Sequence, residues 1–71
     1  MRKINSRRLL EIMLERGLDV RDVAKAAGIS ASVLSSAIRH GRQCYFSTIS
    51  KLAKYFGVDP NELIDPADQL Q

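Results

Sequence analysis

An all-α domain of five short helices is the fold class this 71-residue chain predicts. Three observations carry it. Apolar residues recur at i, i+3, i+4 and i+7 in one segment after another. Each of these runs is preceded by a capping residue or followed by glycine. Strand signals are missing: no alternation of Val, Ile, Thr and aromatic residues runs far, and there is no Asn-Gly or Asp-Gly turn.

The first helix is expected from about Ser6 to Arg16. Leu9, Ile12, Met13 and Arg16 share a stripe that Leu10 and Leu14 widen, with Asn5 or Ser6 as N-cap and Gly17 at the end. The second opens at Asp19, a good N-cap, with Asp22 in the first turn where the helix dipole favours a negative charge. Val20, Val23, Ala24 and Ala27 form its inner face, and Gly28 stops it. Ser30 caps the third, which runs to about His40 with Leu34, Ala37 and Ile38 inward, and Gly41 closes it. Arg42 to Phe46 reads as a loop. Ser47 is the expected cap of the fourth helix, whose Ile49, Leu52, Ala53 and Phe56 face the core. Asp59-Pro60-Asn61-Glu62 combines an Asp cap, Pro at N1 and Glu at N3, and opens a fifth helix through Leu63 and Ile64. Pro66 is expected to end the ordered chain. The domain is therefore placed at residues 1–66, with 67–71 as a C-terminal tail.

Composition narrows the function classes. Hydrophobic residues at 45% and charged residues at 27% fit a folded globular chain and argue against disorder. No apolar run approaches the roughly 20 residues that span a bilayer. Met1-Arg2-Lys3-Ile4-Asn5 has no apolar core of a secretory signal. Cys44 is alone, so no internal disulfide forms, and a cytoplasmic location is expected. Charge is uneven. Residues 1–54 hold all 11 Lys and Arg against four acids, and residues 55–71 hold the other four acids and no base. A basic body with an acidic end suits a polyanion approached from one side.

The stretch Val23–Gly41, "VAKAAGISASVLSSAIRHG", is the most informative. Gly28 supplies the positive φ of a tight turn, Ala24 the small side chain where two backbones approach, and Ile29 a plug in the angle between them. With Val23, Leu34 and Ala37 these residues make the apolar skeleton of a helix-turn-helix at helices two and three. A plain helical corner uses the same geometry without touching nucleic acid.

From about Leu9 to Ile64 the chain resembles the phage Cro/repressor-type helix-turn-helix family, also called the xenobiotic-response-element type. The matching segments are "LLEIMLERGLDVRDVAKAAGIS" and "TISKLAKYFGVDPNELI". The resemblance implies a repressor-like DNA-binding domain, usually dimeric, whose third helix lies in the major groove of an operator. It places Ala31, Ser32 and Ser36 where the family reads base edges. Val33 adds a methyl for thymine, and Arg39 is the one side chain there able to make a bidentate base contact. Arg21, Lys25, Ser30, Ser35, Arg42 and Gln43 are expected at the DNA backbone. The hydroxyl of Ser35 has the alternative of bonding back to a helix carbonyl. Arg2 and Lys3 form a terminal arm that could track a strand or enter a minor groove.

The chain departs from the family pattern at three places. Val20 stands where a phosphate-binding Gln is common, Met13 where an Arg is common, and Gly28 to Gly41 is one residue longer than usual. Cys44-Tyr45-Phe46 is the most apolar loop and either covers the core or joins two copies. His40 sits at a helix C-terminus, where positive charge is favoured, and no metal-ligand spacing is present.

The leading expectation is a sequence-specific DNA-binding transcriptional regulator of a phage or mobile element. It occupies a palindromic operator on double-stranded DNA as a homodimer, without cofactor, metal or small-molecule ligand. The alternatives are a protein-interaction module such as an antirepressor or antitoxin, and a DNA-bending excision factor. An enzyme is not expected: paired carboxylates, a Ser/His/Asp set and a phosphate loop are all missing.

Overall fold

Helices α1 (Ser6–Glu15), α2 (Val20–Ala27), α3 (Ala31–His40) and α4 (Phe46–Phe56) enclose one apolar core in a computed structural model that describes residues 1–69. The local signals act as the residue types require. Asn5 Oδ1 accepts from the Arg8 amide at 3.1 Å, and Asp19 Oδ1 from the Arg21 amide at 2.7 Å. Ser30 Oγ accepts from the Val33 amide at 3.5 Å. Each satisfies an N-terminal donor that the helix itself leaves open.

Leu9, Ile12, Val23, Leu34, Ile49 and Leu52 form the centre of the core, each at most 1% exposed. Ala27, Ile29 and Ile38 pack against it half-buried. Helix α1 packs on α3 and on the segment Pro60–Leu63, so only a narrow face of it is covered. Leu10 and Leu14, expected to widen that face, lie outside it at 41% and 72% exposure. Met13 is buried and takes an apolar place in the core.

The helical elements are joined by a small antiparallel pair. Strand β1 (Arg2–Lys3) pairs with β2 (Gln43–Cys44), with Arg2 opposite Cys44 and Lys3 opposite Gln43. On the other side of the N-terminal segment, Asn5 N donates to Leu63 O at 2.8 Å and Asp65 N donates to Lys3 O at 2.9 Å. Ile4, fully buried, lies between the two and bridges to Ile64. The expected free arm is thus a strand held on both edges. Arg2 faces Asp68 across 3.7 Å, and the Lys3 amide donates to Asp68 Oδ2 at 3.3 Å.

This pairing shifts three further boundaries. The expected loop 42–46 contains β2, and the chain passes from it straight into α4. Tyr45, not Ser47, is the N-cap, without a side-chain cap bond; its carbonyl accepts from the Thr48 and Ile49 amides. The fifth helix expected through Ile64 is a 3-10 turn, Pro60–Leu63, capped by Asp59 as expected. Ile64 turns extended because its neighbours pair with the N-terminal segment. Pro66 starts helix α5 (Pro66–Gln69) instead of ending the order, and Asp65 Oδ1 accepts from the Ala67 amide at 2.9 Å. Of the tail expected at 67–71, residues 67–69 belong to α5, while 70 and 71 lie outside the described residues.

Candidate nucleic-acid interface

Gly28 makes the elbow. It ends α2 with φ 76° and ψ 36°, in the left-handed region that glycine enters at no steric cost. Ala24 O accepts from the Gly28 and Ile29 amides, both at 2.9 Å. Two residues later Ser30 opens α3, which is thereby set across α2. Helix α3 is unbroken from Ala31 to His40 and closes on a left-handed Gly41.

The outer side of α3 and the start of α2 line one open groove of about 660 Å³. Ala31, Ser32, Ser35, Ser36, Arg39 and His40 come from α3; Asp19, Val20 and Arg21 come from the start of α2. Of the expected base-reading residues, the groove gathers Ala31, Ser32, Ser36 and Arg39. Val33 lies one position further round the helix, half-buried. Among the residues expected at the DNA backbone, Arg21 and Ser35 line the groove. Lys25, Arg42 and Gln43 are exposed outside it, and Ser30 stands at its edge with its oxygen used as a cap.

Its charge is mainly positive. Arg21 and Arg39 face a single carboxylate, Asp19, which is committed to capping α2, and the His40 imidazole lines the same groove. That cap also occupies the Arg21 amide, so this donor is not open to a phosphate. Arg39 Nη2 donates to Ser35 Oγ at 2.9 Å, one helical turn back. The Ser35 oxygen thus accepts from a guanidinium, and its own proton is left to donate. Outside the groove, Arg8 is paired with acids: it lies 3.6 Å from Glu11, 4.0 Å from Glu15 and 3.5 Å from Glu62. Beside the exit of α3, the Cys44 thiol is pushed above its ordinary value by burial, with the nearby Arg42 charge acting against the shift.

Asp19 and His40 belong to this face, although the sequence suggested only capping and dipole roles for them, and Val20 lines it at the place where the family often has a phosphate-binding Gln. The signal that could have placed them is the elbow itself, which turns the first turn of α2 toward the outer side of α3.

A glycine elbow between two capped helices, with the second helix outward on a cationic face, defines a helix-turn-helix protein of the DNA-binding regulator class. The chain belongs to the Cro/C1-type helix-turn-helix DNA-binding domain family, whose model matches residues 8–69. It is 33% identical over 69 residues to an uncharacterized HTH-type transcriptional regulator, y4dJ, of Sinorhizobium fredii, covering 97% of this chain and 90% of that one. Among solved structures it resembles the restriction-modification controller protein C.AhdI from Aeromonas hydrophila. The TM-score is 0.74 at 29% identity, over 83% of this chain and 89% of the other. Among the described residues, no helix is long and apolar enough to cross a membrane.

Proposed function

We propose that the chain is a transcriptional regulator that occupies a palindromic operator as a homodimer, each copy laying α3 in a major groove. The observation that carries this reading is the open groove in which Arg21, Arg39 and His40 surround short side chains. Serine and alanine let the helix backbone approach base edges closely, and a cationic rim suits phosphates on either side. Ala31, Ser32, Val33, Ser36 and Arg39 read bases; Arg21, Lys25, Ser30, Arg42 and Gln43 hold the strands, while Ser35, expected with them, has its oxygen engaged by Arg39. Two copies place their α3 helices about 34 Å apart, one turn of duplex. Tyr45 and Phe46, 68% and 54% exposed, are the apolar surface offered to the second copy. The likeness to a restriction-modification controller protein supports a regulator of this kind.

The test starts from duplexes selected out of a random pool. Affinity for the selected duplex is expected to fall linearly on a log–log plot against salt, with a slope of about −0.9 per phosphate contacted. The complex is expected to hold two chains per duplex. Retardation of no duplex at any salt would overturn the reading and favour a protein-interaction module.

A further inference from the structure

We propose that Ser35 is a specificity-determining positioning residue, whose hydroxyl oxygen holds the Arg39 guanidinium in one orientation for reading a base. The inference rests on the DNA-binding reading above and adds to it the device by which a serine-rich helix discriminates.

Arg39 is the one long, always charged side chain that α3 presents to the groove. A free arginine on a helix has many rotamers and satisfies a phosphate as readily as a base. Fixing it is therefore what turns a charge into a reader. Side chains on a helix lean toward its N-terminus, so Arg39 reaches back over the preceding turn, where Ser35 stands at i−4. The contact is made: Nη2 donates to Ser35 Oγ at 2.9 Å. Among the described residues Ser35 is the side-chain partner of Arg39, and no carboxylate pairs with it.

The chemistry of the two groups leaves what a reader needs. A guanidinium has five N–H donors in a fixed plane, and the serine uses one, so other N–H groups remain for the paired acceptors of a guanine edge. The serine accepts this bond with its oxygen and keeps its own proton to donate. Ser35 is half-buried against the helix surface, whereas Arg39 is exposed. The anchor is thus the more fixed of the pair.

The test compares wild type with Ser35→Ala, Ser35→Thr, Arg39→Ala and Ser35→Ala/Arg39→Ala. Each is titrated with a duplex selected by the wild type and with a scrambled duplex of equal length. Alanine is the better helix former, so Ser35→Ala is expected to fold with an unchanged or higher Tm. Its preference for the selected duplex is expected to fall roughly three- to tenfold, the range of one hydrogen bond, with affinity for the scrambled duplex unchanged. Ser35→Thr keeps the hydroxyl and is expected to restore the preference. In the Arg39→Ala background, loss of Ser35 is expected to have no further effect on preference. An unchanged preference in Ser35→Ala overturns the proposal, as does an equal loss with and without Arg39. A lowered Tm with preference intact points to a merely structural serine and overturns it too. Failure of the wild type to bind any duplex is a different result, and removes the DNA-binding reading itself.

Discussion

The Arg16 guanidinium latches the end of α1 to the end of α4: Nη1 donates to the Phe56 carbonyl at 2.9 Å, and the same group lies 5.7 Å from the centre of the Phe56 ring. That carbonyl belongs to the last turn of α4, where no intrahelical donor follows. One side chain thus satisfies an orphan acceptor and covers an aromatic face. Arg16→Ala is expected to cost about 1–2 kcal/mol, combining a charge-assisted hydrogen bond with a partly exposed cation–π contact. Arg16→Lys keeps charge without the planar fork and is expected to recover less than half. Urea midpoints at constant slope check both.

Ile4 decides whether the N-terminal segment is structural. It is fully buried between β2 and Ile64, and its amide donates to Arg42 O at 3.1 Å. Ile4→Ala is expected to destabilise by about 3 kcal/mol, and Ile4→Val by about 1 kcal/mol. A free arm would give values near zero for both. Chemical denaturation of the two variants measures the difference.

These two contacts mark the limit of what the sequence reveals. Asp19, Gly28 and Ser30 were legible because a cap or a turn is decided within four residues by local chemistry. The β1–β2 pair was not: two-residue strands carry no periodicity, and their partners are some 40 positions apart. Leu14 lies on the helical apolar stripe, yet periodicity does not say how wide a face the neighbours will cover. Arg16 lies on that same stripe and reaches the core's edge through its charge. At the groove, the elbow made Ala31, Ser32, Ser36 and Arg39 readable as one outward face, but not the presence of Asp19 and His40 beside them. The Ser35–Arg39 spacing was also in view, and only the direction of the arginine was missing. Asp65-Pro66 repeats the start signal of Asp59-Pro60, but a proline near the end of a chain reads as a stop.

Cys44 gives the fold a dependence on alkaline pH. The residue is 4% exposed and burial raises its thiol above the ordinary range, so the folded state favours the protonated form more than the unfolded state does. The stability this contributes is fully present below the unfolded pKa and is lost as pH rises through the folded one. Wild-type Tm is therefore expected to fall more steeply above pH 9 than that of Cys44→Ala, whose residue 44 does not titrate. Thermal melts of both proteins from pH 7 upward check this, and parallel curves would count against it.

Tyr45 and Phe46 leave the core and face solvent at the start of α4, although Cys44 beside them is buried. If this surface joins two copies, Tyr45→Ser/Phe46→Ser shifts the mass in sedimentation from two chains to one. Little packing is lost within one chain, so Tm at high dilution is expected to stay within a few degrees of wild type. A variant that remains dimeric places the contact elsewhere.

Arg39 and Arg42 stand on either side of His40-Gly41, where α3 ends, and are expected to divide the work of binding. Arg39 lies in the groove, held by Ser35, where base edges would come. Arg42 is past the helix end, exposed, in the segment that Ile4, next after β1, ties down through its amide. A base contact counts only on the right sequence, whereas a phosphate contact counts on any. Arg39→Ala is expected to weaken binding to the selected duplex by about 1–3 kcal/mol and to leave the scrambled duplex nearly unaffected. Arg42→Ala is expected to weaken both alike and to flatten the salt slope by about one unit. Equal losses for the two variants on both duplexes would mean that Arg39 also grips the backbone, and the short side chains of α3 would then have to read the sequence without it.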